Sequence, residues 1–292
     1  MVVIKLQGGL GNQMFQYAAA KSLAVRLKAD VFLDLSWFSN IPATDTKRWY
    51  ELDYFALEKN TIDINKYTVI SKGLGRATKA KRYVMAKNKK NILWSFDSPD
   101  QKYHKEYTKL KGNIYLEGWF TSEKYFKDIR EELLKEFIFT IEANEKSKNL
   151  LSEIEKTSSV SLHVRRGDYL KNKNAKKWHG VKGNDYYRTA IEIMNTRIKN
   201  PVYFVFSDDI QWCKKNIITS KKIYFVDHNK YGAEDLMLMC ECKNNIITNS
   251  TFSWWGAWLN RNNKKIVIAP EAWLNDSSVD TSDVLPKEWI KI

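Results

Sequence analysis

The run His163-Val164-Arg165-Arg166-Gly167-Asp168-Tyr169 holds the residue types best suited to chemistry in this chain. It continues an apolar, β-branched stretch beginning at Val160, which predicts a buried strand. Paired arginines, a glycine and an aspartate pack poorly at a strand end. A fork of N–H donors suits a phosphate or pyrophosphate, and open α/β sheets bind ligands at the carboxyl ends of their strands. Neighbouring side chains point in opposite directions. One arginine is therefore expected to face the ligand, Arg165 being the choice, while Arg166 braces the loop. The packing alternative pairs both arginines with Asp168 and another acid. Arg166-Gly167-Asp168 also spells a cell-adhesion tripeptide, a reading set aside because no secretion signal is evident.

Three further clusters follow predicted strands. Ser207-Asp208-Asp209 comes after Val202–Phe206. Two carboxylates can ligate Mg²⁺ or Mn²⁺, or they can cap the next helix and brace the arginines. The second role is preferred, because arginines that neutralise a leaving phosphate make a metal redundant. In Thr248-Asn249-Ser250-Thr251-Phe252-Ser253, hydroxyls and free amides at a helix start suit a phosphate oxygen. A simple cap needs only one such residue. Trp254 and Trp255 are expected to pack on the sheet rather than stack on substrate. Gly8-Gly9-Leu10-Gly11-Asn12-Gln13 follows Val2–Leu6. Its amides can hold an anion, and Asn12 and Gln13 can hydrogen-bond a sugar, with Gly9 and Gly11 lining the cleft. A plain strand–helix turn has the same sequence, and no acidic residue completes a dinucleotide fingerprint. Asp235, at the head of the helix before Thr248, can accept the N1–H and N2–H pair of guanine, or serve only as a helix-start charge.

Positioning these clusters requires alternating elements. Strands are expected at 160–164, 202–206, 223–226, 245–248 and 265–269, and helices at 185–198, 209–216, 233–242 and 252–260. Such alternation predicts a parallel sheet covered on both faces. The first half opens with a strand (Val2–Leu6), a helix (Asn12–Leu27) and a strand (Val31–Leu35). A short strand at Ile114–Leu116 and a helix over Lys124–Phe137 follow later. Residues 60–112 give weak signals and are expected to hold loops and a basic helix. The polar stretch 141–157 is expected to be helical, with the domain boundary at its end. This divides the chain into residues 1–157 and 158–292.

A chain of 292 residues accommodates two domains. The net charge of +14 points to an anionic partner. From Ile64 to Phe96 there is no acidic residue, but nine basic ones: Lys66, Lys72, Arg76, Lys79, Lys81, Arg82, Lys87, Lys89 and Lys90. This stretch is either a solvated face or a patch for anionic lipid head groups or an anionic acceptor. The 11 tryptophans fit sugar binding and core filling alike. Cys213, Cys240 and Cys242 lack metal-finger spacing and are expected to be reduced thiols. The opening Met1–Leu6 has no basic leader, and no apolar run reaches ~18 residues. A cytoplasmic place, with peripheral contact at the inner membrane face, is expected. A nucleic-acid-binding protein would account for the charge but not for four polar clusters at strand ends. A non-catalytic sugar-binding module would account for the aromatics but not for the paired arginines. Nucleic acid is therefore not an expected partner.

Taken together, the blocks at Gly8–Tyr17, His163–Tyr169 and Asn249–Trp258 resemble the bacterial α-1,2-fucosyltransferases of glycosyltransferase family 11. His179-Gly180 with Asp185-Tyr186-Tyr187, and Ser207-Asp208-Asp209, support the resemblance. It implies an α/β fold of GT-B type, two Rossmann-like domains facing a central cleft. The N-terminal domain would be the acceptor side and the C-terminal domain would bind GDP-β-L-fucose. It implies inverting transfer of fucose to the 2-hydroxyl of a terminal galactose on a glycan, possible substrates including lipid-linked units, with no metal or other cofactor. Similarity to more distant fucosyltransferases implies that Arg165 meets the β-phosphate, that His163 and Asp235 read the guanosine, and that Thr251 and Ser253 meet the phosphates. Arg166, Asp208, Asp209, Asn249 and Ser250 complete the expected donor site. Asp168 and His179 are alternative general bases, and a dissociative mechanism needs no strong base.

Overall fold

The computed structural model describes residues 1–43, 45–71, 91–171, 178 and 180–292, without the side chains of Ser71, Asp168 and Lys171. Two compact units emerge: Met1–Ile138 with Ser282–Val284, and Phe139–Thr281 with Leu285–Ile292.

The first unit contains β1 (Val2–Lys5), α1 (Leu10–Leu27), β2 (Val31–Asp34), β3 (Thr68–Ser71), β4 (Ile92–Ser98), β5 (Ile114–Gly118) and α2 (Arg130–Glu136). Its strands form a parallel sheet in the order β2-β1-β5-β4-β3. Val2, Val3 and Ile4 are wholly buried, as a central strand covered on both faces requires. The Ala18-Ala19-Ala20 run of α1 is equally buried, its small side chains letting the helix lie close to its neighbours. Two strands, β3 and β4, fall where loops and a basic helix were expected. In β4 the buried positions include Ser95 and Ser98 beside Leu93, so hydroxyls blur the apolar alternation. Of the nine basic residues between Ile64 and Phe96, Lys66 lies in a described 3-10 turn, and the other eight lie outside the described residues. The helix expected over Lys124–Phe137 is instead two 3-10 turns (Glu123–Tyr125 and Lys127–Ile129) followed by α2. Phe126 adopts φ −146° between the turns, and its buried ring meets Phe15 at 5.8 Å.

The second unit contains α3 (Glu145–Lys156), β6 (Ser158–Val164), α4 (Gly167–Lys171), α5 (Asn184–Arg197), β7 (Pro201–Ser207), α6 (Ile210–Asn216), β8 (Ile223–Val226), α7 (Gly232–Glu241), β9 (Asn244–Ile246), α8 (Thr251–Leu259), β10 (Val267–Ala269) and β11 (Ile290–Lys291). From β6 to β10 the expected strands and helices match to within about two residues at each end; α3 begins four residues later than expected, and the short helix α4 and the two-residue β11 are added. The sheet order is β11-β10-β9-β6-β7-β8, again parallel. The chain winds outward from β6 through β7 and β8, then outward on the other side from β9. The reversal lies between β6 and β9, the position at which doubly wound sheets bind ligands. Along β7, Val202, Phe204 and Phe206 enter one core with Ile154 and Leu238. Tyr203 and Val205 enter the other with Val160, Leu162 and Tyr187.

The division between the units falls after Ile138 rather than at residue 157. Helix α3 belongs to the second unit because its apolar stripe, Leu150, Leu151 and Ile154, packs against β7, β8 and α7. Its polar remainder made it look like a linker.

Candidate active site

The first strand of the second unit ends in the two arginines, and the acids after β7 hold them. Asp208 accepts the Arg166 backbone N–H at 2.9 Å and pairs with Arg165 Nη1 at 3.2 Å. Asp209 accepts Arg166 Nε at 3.1 Å and caps α6 through the Trp212 N–H at 3.2 Å. The Arg166 guanidinium also lies 4.1 Å over the Trp212 ring. Asp208 and Asp209 thus brace the arginines and cap a helix, the preferred reading of that pair. Arg166 is tied twice to α6 or its cap, which suits a brace. Among the described residues, no group of three or more His, Cys, Asp or Glu is placed to hold a metal, and the three cysteines are free and buried.

Across the sheet reversal, the loop after β9 is locked from below. Tyr186 Oη donates to the Ile247 carbonyl at 2.5 Å and Tyr169 Oη to the Asn249 carbonyl at 3.1 Å. The second bond joins the β6 and β9 loops directly. Asn249 is buried, accepts from Thr248 Oγ1 at 3.0 Å and donates to the Gly180 carbonyl at 3.4 Å. Ser253 is also buried, its hydroxyl shared with the Thr248 and Ser250 carbonyls. Two of the expected phosphate contacts are therefore engaged inside the loop. Ser250 is the N-cap of α8 yet makes no side-chain cap bond, and Thr251 opens the helix half-buried. The Ser250 side chain therefore leaves the first-turn amide donors of α8 to other partners. Trp254 and Trp255 pack in the core as expected: Trp254 meets Trp255 edge-on, stacks on Trp258 and lies tilted against Trp289.

His163 continues a buried polar row along β6, after Ser159 and Ser161. Ser161 Oγ accepts from Asn245 Nδ2 at 2.7 Å, whereas the buried Nδ1 of His163 has no partner among the described residues. Its ring centroid lies 5.4 Å from that of Phe252. Burial, reinforced by the Arg165 charge, pulls its pKa down to about 3, so the imidazole is neutral. A buried ring nitrogen without a partner is an unmet hydrogen bond that a ligand can complete. Asp235, in the first turn of α7, accepts from Asn229 Nδ2 at 2.7 Å. Burial pushes its pKa up to about 6, opposed by the Asn229 bond and aided by Glu234.

In the first unit, Gln13 is buried and fully used. Its Nε2 donates to the carbonyls of Gly8 at 2.9 Å and Trp49 at 2.8 Å, and its Oε1 accepts from Glu51 N at 2.9 Å. Glu51 Oε2 in turn accepts from Leu10 N at 3.0 Å, placing a carboxylate at the start of α1. The anion position expected there is filled by the chain itself. Gly8 has φ +77°, a conformation glycine tolerates best, and the Asn12 side chain folds over it. Gly9 is half-buried under Arg48, and Gly11 is buried.

His179 lies outside the described residues, and of Asp168 only the backbone, within α4, is described. Sequence reasoning passed over Glu51, Asn229, Trp212 and Tyr169 as contributors. Tyr169 was signalled by its place in the arginine block. Trp212 and Asn229 lie three and six residues from Asp209 and Asp235, whereas Glu51 lies far from any cluster.

The family model of glycosyl transferase family 11 matches residues 77–292. The alpha-1,2-colitosyltransferase of Escherichia coli is 37% identical, with 100% of this chain and 99% of the relative covered. The O-antigen biosynthesis glycosyltransferase WbnK of Escherichia coli is 34% identical, with 98% and 99% covered. The galactoside 2-alpha-L-fucosyltransferase Sec1 of Mus musculus is 27% identical, with 89% and 64% covered. Among solved structures, a mutant of Arabidopsis thaliana FUT1 in complex with GDP shares the fold at a TM-score of 0.52 and 11% identity, with 93% of this chain and 71% of that chain covered. The α/β fold of two parallel-sheet units is of the GT-B class. With the family model matched over most of its length and relatives aligned end to end, the chain belongs to glycosyl transferase family 11.

Proposed function

We propose that this glycosyltransferase moves L-fucose from GDP-β-L-fucose to the 2-hydroxyl of a terminal galactose, with inversion at the anomeric carbon, on a surface-polysaccharide unit such as an O-antigen. The observation that carries the reading is the pair of loops at the sheet reversal, Arg165 on one and the start of α8, where Ser250 makes no side-chain cap bond, on the other, joined by Tyr169 and Asn249. The activities of the similar proteins, fucosyl and colitosyl transfer and O-antigen biosynthesis, support it.

Cleaving the sugar–phosphate bond gathers negative charge on the GDP β-phosphate and leaves an oxocarbenium-like sugar. Arg165 and the amides at the start of α8 are donors fixed before that charge develops, and one such donor is worth about 10²–10³-fold in rate. The neutral imidazole of His163 and the carboxylate of Asp235 meet the guanosine. The 2-hydroxyl of galactose loses its proton as the new bond forms. Asp168 and His179 remain the alternative bases, and a dissociative path reduces the demand on either. Asp208 and Asp209 serve the arginines, so the reaction proceeds without a divalent metal. The first unit takes the acceptor.

A second donor is favoured by the 37% identity to a colitosyltransferase along the whole chain. Colitose is L-fucose without its 3-hydroxyl, so the two donors differ at one group. The test is GDP release with GDP-fucose or GDP-colitose, a β-galactoside disaccharide, and EDTA present or absent. Acceptor-dependent release from GDP-fucose that survives EDTA supports the reading. Release from GDP-colitose alone moves the donor to colitose, and release lost in EDTA moves Asp208 and Asp209 to a metal site.

Among the described residues no helix is long and apolar enough to cross a membrane. Peripheral, cytoplasmic attachment through the basic stretch between Ile64 and Phe96 belongs to the same proposal. Co-sedimentation with anionic vesicles at low salt, lost on charge reversal there, is its test.

A further inference from the structure

Trp49 is the most exposed tryptophan among the described residues, with 62% of its surface open to solvent. A lone apolar side chain at the surface means little by itself. This one sits on a segment fixed at three points. The Trp49 carbonyl accepts from Gln13 Nε2 at 2.8 Å, Glu51 N donates to Gln13 Oε1 at 2.9 Å, and Glu51 Oε2 accepts from Leu10 N at 3.0 Å. All three anchors run to the first turn of α1, directly after β1, so the indole segment is tied to the carboxyl end of its sheet, where parallel sheets bind ligands. Arg48 packs over Gly9 on the same turn. The ammonium of Lys47 lies 4.7 Å from the indole centroid and covers one face of the ring. Gln13 and Glu51 thus fix the backbone that carries a large apolar ring into water, and Lys47 covers one face of that ring. Folding alone gives no reason for this, because the ring buries little area.

We propose that Trp49 is the stacking platform for the terminal galactose of the acceptor, the sugar lying on the indole face opposite Lys47. Galactose presents the C–H bonds at C3, C4 and C5 on one side of its ring, an apolar patch that matches an indole face. Its hydroxyls remain on the edge, and Asn12, whose carboxamide makes no hydrogen bond among the described residues, lies in the first turn of α1 beside Gly8. The assignment rests on the proposed galactoside activity and adds the residue that selects the acceptor. The chemistry at the start of α8 does not depend on it.

The experiment compares wild type, Trp49→Ala and Trp49→Phe in GDP release, with donor and β-galactoside disaccharide varied separately. Loss of one aromatic anchor is expected to raise the acceptor KM about tenfold or more. The donor KM and the thermal shift produced by GDP stay at wild-type values, and Trp49→Phe recovers most of the acceptor affinity. An acceptor KM unchanged in Trp49→Ala overturns the platform while leaving the galactoside activity standing. Equal loss of donor and acceptor affinity overturns it as well, because that pattern belongs to a structural residue. A wild-type enzyme that works only with acceptors lacking galactose overturns the proposed function, and galactose as the occupant with it.

Discussion

Gly167 lies so close to Asp208 that a Cβ at this position would sit 2.8 Å from the carboxylate Oδ2. Asp208 in turn holds the Arg166 backbone and the Arg165 guanidinium. The glycine is therefore required by the space it leaves for the acid that sets both arginines. Replacing it with alanine displaces Asp208, and overpacking of this kind costs about 1–3 kcal/mol. Gly167→Ala is expected to melt at a lower temperature and to lose turnover beyond what that destabilisation explains. Wild-type kcat and Tm in the alanine variant would show that Asp208 has room to yield.

The two arginines are expected to fail differently. Arg166 is tied to Asp209 and stacked on Trp212, so Arg166→Ala leaves an acid unpaired and a ring uncovered. A loss of about 1–3 kcal/mol in stability is expected from such a deletion. Arg165→Ala is expected to keep most of its stability and to lose about 10²–10³-fold in kcat. Thermal melts and single-turnover rates on both variants separate the roles, and the opposite pattern would exchange them.

Asp235 predicts a pH dependence of donor binding. Its folded pKa is raised to about 6 from the usual 3.8. Between those values the folded state holds a proton that the unfolded state has released, so this group makes stability fall as pH rises through the window. His163 acts in the opposite sense. Its folded pKa is lowered to about 3, so stability falls as pH drops below its usual 6.5. The difference between wild type and Asp235→Asn isolates the aspartate. If its carboxylate accepts from guanine, GDP affinity rises as pH passes upward through about 6 in wild type and stays flat in the variant. Calorimetry on either side of that value, with ADP as control, reads this directly.

Gln13 was expected to contact a sugar, whereas its amide is consumed by Gly8, Trp49 and Glu51. Gln13→Leu leaves two carbonyls and an N–H without their partner, and a loss of about 1–3 kcal/mol is expected for buried groups so stranded. Chemical denaturation measures it. A leucine variant as stable as wild type would mean that water replaces the amide.

How much could be read from the sequence follows the physical signal each part carries. In the second unit, β7 is apolar at every position through Phe206, as burial on both faces demands, and its limits were predicted to a residue. Strand β4 mixes serines with its apolar residues and was read as loop. Helix α3 was recognised as a helix but assigned to the wrong unit, because three apolar residues in a polar segment do not say which sheet they cover. At the site, the arginine block and the Thr248–Ser253 loop were evident from their polar density at strand ends. Which hydroxyls turn inward was not, since Ser253 and Thr251 are chemically alike and differ only by position on α8. Glu51 lies 41 residues from the Leu10 amide it caps, a separation that no local pattern reports.

That carboxylate has a consequence for stoichiometry. Both units follow the same plan of strand, polar turn and helix, and each helix start offers positive potential to an anion. At α1 the offer is already taken up by Glu51, while at α8 the N-cap side chain of Ser250 makes no cap bond. The chain thus carries a permanent occupant at one of two equivalent addresses. If the proposed donor is held at α8, the Glu51 carboxylate already seated at α1 predicts saturation at one GDP per polypeptide, which calorimetry would count.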